Sequence, residues 1–321
     1  MSLTRILLIL LMVFILPVSA SANSSYVAID ATTGRVLMGE EIHMRLPIAS
    51  LTKMWTALIA IEESDLDDVV TISKRATLSE GSSIYLEEGE SVTVETLLYG
   101  LLLRSGNDAA FALAEHVGGS EEGFVKLMND KARIYGLINT SFTNPSGLHN
   151  ENHLSSAYDT ARMLQIAMKN PTFRKIASTI IYKGKTTTWQ NKHKLLSQKV
   201  GALAGKTGYT KVAGRTLATY FERDEKKFVV VTINASNDWQ LHKSIADTID
   251  DNYKVEEIAK KGSYEVPHAK LKLAQPIRIL LSEKEEEELQ HVLQLTRSKR
   301  QAVWHIMLDN RVIYSTPVDV Q

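Results

Sequence analysis

Leu217-Ala218-Thr219-Tyr220-Phe221, then Glu222-Arg223-Asp224-Glu225-Lys226-Lys227, then Phe228-Val229-Val230-Val231-Thr232-Ile233-Asn234: two apolar, β-branched and aromatic runs flank a charged turn. The pattern predicts a long β-hairpin. Near the other end, Tyr26-Val27-Ala28-Ile29-Asp30 and Val36-Leu37-Met38 flank a turn at Ala31-Thr32-Thr33-Gly34-Arg35, which reads as a second hairpin. Between the hairpins the apolar period is helical. Leu51, Met54, Trp55, Leu58 and Ile61 recur at helical spacing over residues 50–62. Residues 93–103, 108–116, 122–135 and 157–168 read as further helices, the last capped by Ser156 and stopped at Asn170-Pro171. Another helix is expected over 239–260. Strands at both ends of a helical middle imply an α/β (α+β) fold: one antiparallel sheet built from the two chain ends, flanked by helices, with a helical subdomain.

After Lys260-Lys261-Gly262 the character changes. Residues 270–281 alternate, 283–288 form a charge run read as a solvated face, and 303–314 read as a hairpin turning at Asp309-Asn310. Residues 23–262 are therefore expected as the main domain and 263–321 as a small β-rich domain. About 60 residues is marginal for independent folding, so the small domain is expected to dock on the first.

The 321 residues are 44 % hydrophobic and 23 % charged, the profile of a globular protein. Lys and Arg total 37 and Asp and Glu 37, so bulk charge supplies no attraction for nucleic acid or an anionic membrane. The absence of cysteine removes disulfides, thiolate nucleophiles and thiolate metal sites. At the N-terminus, Arg5 precedes an uncharged apolar run over 6–16, Pro17, and the small residues Val18-Ser19-Ala20-Ser21-Ala22. This reads as a secretory signal peptide over 1–22, cleaved after Ala20 or Ala22. The alternative is an uncleaved anchor, but the run is shorter than the roughly 20 residues a spanning helix needs. No later stretch is long and apolar enough to span a bilayer.

Three short motifs carry the chemistry. In Ser50-Leu51-Thr52-Lys53, the first turn of a helix would place Ser50 and Lys53 on one face. A serine hydroxyl needs a base, and a lysine desolvated among Leu51, Met54 and Trp55 can serve. Ser105-Gly106-Asn107 lies in a connection between two predicted helices. There Ser105 can relay a proton and Asn107 can hold substrate backbone. In Lys206-Thr207-Gly208-Tyr209, Lys206 and Thr207 can bind a carboxylate, and Gly208 can admit a peptide close to the backbone. The Tyr209 and Ser50 N–H groups can form an oxyanion hole. Each motif alone is open to a plainer reading: a helix cap with a surface lysine, a capping turn, a glycine turn.

Together, Ser-x-x-Lys, Ser-x-Asn and Lys-Thr-Gly in this order form the triple signature of active-site-serine penicillin-interacting enzymes. Longer stretches agree: IASLTKMWTALIAIE (48–62), EGSSIYLEEGE (80–90), LLYGLLLRSGNDAAFALAEHVGGS (97–120), NPSGLHNENHLSSAYDTARML (144–164) and GKTGYTKVAGRTLAT (205–219). Across residues 25–321 the chain resembles the low-molecular-mass penicillin-binding proteins, the serine-type D-alanyl-D-alanine carboxypeptidases of peptidase family S11, and most of all the Bacillus-type spore-cortex enzymes. The resemblance implies the serine β-lactamase/D,D-peptidase fold. It implies Ser50 as the nucleophile that becomes an acyl-enzyme, Lys53 as proton acceptor and Ser105 as proton relay. It also implies Asn107, Lys206, Thr207, Gly208 and Tyr209 as substrate-binding positions.

Peptidoglycan stem peptides are the implied partners and β-lactams the implied covalent inhibitors, with no cofactor and no metal. The implied place is outside the cytoplasmic membrane. Relatives often end in an amphipathic C-terminal anchor, and none is evident before Gln321. The competing readings are a β-lactamase or D,D-endopeptidase on the same scaffold, or a catalytically weak wall-binding protein. His149 and His153 fall in a Pro- and Gly-containing loop and read as solvated rather than metal-binding. Trp189, Tyr209 and Tyr220 read as core or groove lining, and no Gly-x-Ser-x-Gly elbow is present.

Overall fold

The computed structural model describes residues 24–185, 187–267, 269–295 and 301–320, so the leader read over 1–22 lies outside the described residues. The two expected hairpins do meet in one sheet. Its five strands run, edge to edge, Val36–Glu40, Ser25–Asp30, Lys226–Ile233, Gly214–Arg223 and Ala202–Thr210, all antiparallel. The run from Phe228 to Val231 is apolar on both faces because both are covered. Val229, Val231 and Ile233 join the core beside the helix Ala157–Ala167, whereas Phe228 and Val230 pack with Ile245, Ala246 and Ile249 of the helix Asp238–Asn252.

The helical middle forms the expected subdomain. The helix Thr52–Glu63 is buried along Thr52 to Ala60, and Trp55 Nε1 donates to the Met128 carbonyl at 3.0 Å. Asn107–Gly118 and Glu121–Ile134 pack around it, the latter capped by Ser120. The helix expected over 93–103 is regular only over Val94–Tyr99 and continues as a wider π turn over Gly100–Arg104.

Two further expectations are corrected. Asn170-Pro171 does not only stop a helix: Asn170 caps the Thr172 and Phe173 N–H groups and Pro171 opens a new helix, Pro171–Ala177. The helix expected over 239–260 ends at Asn252, where Tyr253 turns extended. Lys254–Ala259 is then a strand paired with Ile277–Leu281, a downstream partner that no local period reveals.

The small domain is a five-stranded sheet in the order Gly262–Val266, Ala269–Leu273, Arg311–Val320, Gln301–Leu308, Gln290–Leu295, with its own apolar cluster around Ile279, Trp304 and Ile306. Asp309 and Asn310 both take positive φ at its hairpin turn. The charge run 283–288 is not wholly solvated. Glu285 takes Arg35 in two hydrogen bonds, at 2.8 and 2.9 Å, while Arg35 also reaches the Leu280 carbonyl at 2.6 Å. This contact docks the small domain on the first hairpin.

Phe221 and Phe228 stack at 5.1 Å and are fully buried. Phe228→Ala should lower the unfolding free energy by about 3–5 kcal/mol in urea titration. A loss below about 1 kcal/mol would mean that this side of the sheet is not a packed core.

Candidate active site

Ser50 sits in a single 3-10 turn, Ala49–Leu51, immediately ahead of the helix Thr52–Glu63. The helical rise brings Lys53 back over it, with Lys53 Nζ 3.0 Å from Ser50 Oγ. Lys53 is fully buried, and its amine donates to the Ser146 carbonyl at 2.5 Å. Burial holds its pKa well below the ordinary lysine value, and the charges of Lys206 and Lys192 push the same way against Asp108. A neutral amine has a lone pair left to face the Ser50 hydroxyl once an N–H is given to Ser146.

Ser105 follows the π turn in a left-handed conformation, φ +66. Its hydroxyl lies 3.1 Å from Nζ of Lys206, which also donates to the Thr207 carbonyl at 2.8 Å. Lys206 is buried in the edge strand Ala202–Thr210, and burial reinforced by Lys192 lowers its pKa to about 7. Gly208 of the same strand faces the nucleophile turn. A Cβ there would lie 2.9 Å from the Ser50 nitrogen and 2.4 Å from Thr216 Oγ1, so only glycine allows this contact.

These elements enclose a cavity of about 330 Å³ lined by Ser50, Ser82, Ser105, Thr207, Gly208 and Tyr209, and by Lys192, Lys194, Arg215, Thr216, Asp238 and Trp239. Lys53 and Lys206 stand behind this lining. Asn107 is also set back: its amide donates to the Glu80 carbonyl and its N–H to the Ser82 carbonyl, tying the 80–86 loop to the Ser105 turn. Asp108 is absorbed by the same loop, through Ser83 Oγ at 2.5 Å and the N–H groups of Ile84 and Leu86.

Reading the motifs alone missed the cations at the cleft, Lys192, Lys194 and Arg215. Lys192 comes from an irregular connection, carries no local signal, and reaches Ser82 Oγ at 3.2 Å. Arg215 pairs across the strands with Tyr209, is held by Asp238 at 2.8 Å, and keeps 43 % of its side chain exposed. Extending the predicted strand from Leu217 back to Gly214 would have placed it opposite the third motif. One expectation is overturned. His153 is not solvated but 2 % exposed, bonded at 2.8 Å to Thr52 Oγ1; His149 is exposed. Of the three aromatic residues, Tyr220 is buried, Trp189 stacks on Tyr182, and Tyr209 lines the cleft.

The Ser50–Lys53 pair and the Ser105–Lys206 pair thus meet at one cleft, with both serines lining it and both lysines buried. The family model for D-alanyl-D-alanine carboxypeptidase, peptidase family S11, matches residues 16–237, and the chain belongs to that family. It is 38 % identical over 241 residues to the D-alanyl-D-alanine carboxypeptidase DacF of Bacillus subtilis, covering 72 % of this chain and 62 % of DacF. It is 34 % identical over 220 residues to DacB2 of Mycobacterium tuberculosis, covering 67 % of this chain and 75 % of that protein. The structure is similar to penicillin binding protein 5 from Haemophilus influenzae, with TM-score 0.78, 26 % identity and coverage of 92 % and 96 % of the two chains. That likeness extends through the small β domain.

Lys192 lowers the pKa of both buried lysines. Removing its charge favours their protonated forms, so a neutral Lys53 is reached only at higher pH. Lys192→Met should therefore move the acid limb of the penicillin-acylation rate to higher pH. A limb that stays in place or moves down would refute this coupling.

Proposed function

We propose that the protein is a serine-type D-alanyl-D-alanine carboxypeptidase that removes the terminal D-alanine of peptidoglycan stem pentapeptides. The observation that carries the reading is the fully buried Lys53 amine 3.0 Å from Ser50 Oγ. A desolvated amine at that distance, its pKa held well below the ordinary lysine value, is suited to act as a general base.

In the proposed cycle Lys53 takes the Ser50 proton as the oxygen attacks the carbonyl between the two D-alanines. The N–H groups of Ser50 and Tyr209 hold the oxyanion. The proton taken from Ser50 passes through Ser105, backed by Lys206, to the departing amine, and water then hydrolyses the acyl-enzyme, its OH going to the carbonyl carbon and its proton returning to Ser50 Oγ. Thr207 at the cleft wall meets the terminal carboxylate, with Lys206 and Arg215 supplying the positive field and Asn107 bracing the substrate-side loop. β-Lactams resemble the D-alanyl-D-alanine end and are proposed as covalent inhibitors acting on Ser50. The Arg5-led apolar leader and small residues to Ala22 support export by a cleaved signal peptide. Likeness to Bacillus-type relatives supports a role in the spore wall.

Wild-type protein should release D-alanine from a stem-pentapeptide mimic and take a fluorescent penicillin, and Ser50→Ala should do neither while keeping its melting temperature. Lys53→Arg should be nearly inactive in acylation because guanidinium does not give up its proton. Lys206→Arg keeps the charge and should retain more. A Lys53→Arg enzyme acylating faster than Lys206→Arg would reverse the assignment of base and field. Labelling of Ser50→Ala at the wild-type level would place the nucleophile elsewhere.

A further inference from the structure

The Ala49–Ser50 peptide is one rigid plane, so whatever orients its carbonyl also orients the Ser50 N–H. Ala49 has φ +49, a left-handed conformation unfavourable for a residue with a Cβ, and it persists only if its surroundings enforce it. The enforcing contacts are visible. Thr52 Oγ1 donates to the Ala49 carbonyl at 2.9 Å. Gly147 presses on the same carbonyl, where a Cβ would come to 1.9 Å from the oxygen.

The Thr52 hydroxyl is itself oriented. His153 Nδ1 accepts the Thr143 N–H at 3.1 Å, and a backbone N–H can only donate, so the ring proton is on Nε2. Nε2–H then faces Thr52 Oγ1 at 2.8 Å, which leaves the hydroxyl proton for Ala49. Burial keeps the ring neutral, lowering its pKa to about 4. Phe142 packs edge-on against the ring at 5.6 Å.

We infer that His153 is a positioning residue for the oxyanion hole: through the Thr52 hydroxyl it fixes the Ala49–Ser50 peptide plane and so aims the Ser50 N–H. This rests on the proposed acyl-transfer function. A merely structural brace between the 143–153 loop and the helix would slow all substrates alike. An oxyanion effect depends on the atom that takes the charge. In a thionoester the charge develops on sulfur, a larger and weaker hydrogen-bond acceptor, so the donor's aim matters less.

The test compares acylation by a depsipeptide ester and its thionoester. Thr52→Val should slow the oxo-ester by about 10- to 100-fold, less than deletion of a whole oxyanion donor, while the thionoester changes by less than about threefold. Thr52→Ser should restore the oxo rate to within about threefold. Thr52→Val combined with His153→Phe should be no slower than Thr52→Val alone, because the ring acts only through that hydroxyl. If His153→Phe does not fold, the two Thr52 variants still decide. Equal losses on both esters, no loss in Thr52→Val, or a further drop in the double variant would overturn the inference. Wild-type protein that takes no penicillin at Ser50 would instead refute the function on which it rests.

Discussion

Lys53 Nζ lies fully buried 3.0 Å from Ser50 Oγ, and an ammonium ion there would have to give up its hydration shell. Losing that hydration costs several kcal/mol per ion, so the pKa is held well below the ordinary lysine value. Much of the surrounding structure serves this condition. The helix carrying Lys53 is buried over its first nine residues rather than along one stripe. The charge of the nearby acid Asp108 opposes the shift but ranks behind burial and the two lysines, while its carboxylate is hydrogen-bonded by the 83–86 loop. An ion pair between Asp108 and Lys53 would have favoured the charged amine.

The second lysine follows the same logic to a different degree. Lys206 is also buried, but it holds Ser105 Oγ and a backbone carbonyl, and its pKa lies at about 7. It can carry or release a proton near neutrality, which suits the relay role proposed for Ser105. The charge of Lys206 also lowers the pKa of Lys53, and Lys192 lowers both.

Three rigid elements bring these groups together: the edge strand of the sheet, the start of a buried helix, and the π turn before Ser105. Interlocking is tight where they meet, since a Cβ at Gly208 would strike the Ser50 nitrogen and one at Gly147 the Ala49 carbonyl. The small domain is joined to this body by the Arg35–Glu285 pair, whose side chains are mostly shielded. A shielded pair of this kind sets geometry more than it adds stability.

The sequence by itself determined the class of fold, the three motifs and their order. Hairpin patterning at the two chain ends and a 3.6-residue period between them are local properties, and so is the three-residue spacing of Ser50 and Lys53 on a helix. It also carried the family resemblance. Beyond the sheet of the two chain ends, it did not contain the long-range pairing. The strand Lys254–Ala259 looked helical because its partner, Ile277–Leu281, supplies the hydrogen bonds that make it a strand. His153 read as a solvated loop histidine because loop composition says nothing about what packs over the loop. Lys192 and Arg215 had no motif to mark them. Their place at the cleft follows from a strand register and a connection geometry. The depressed pKa values of Lys53 and Lys206 were decided only in the tertiary structure, because desolvation is a property of everything that surrounds a charge and not of its neighbours in the chain.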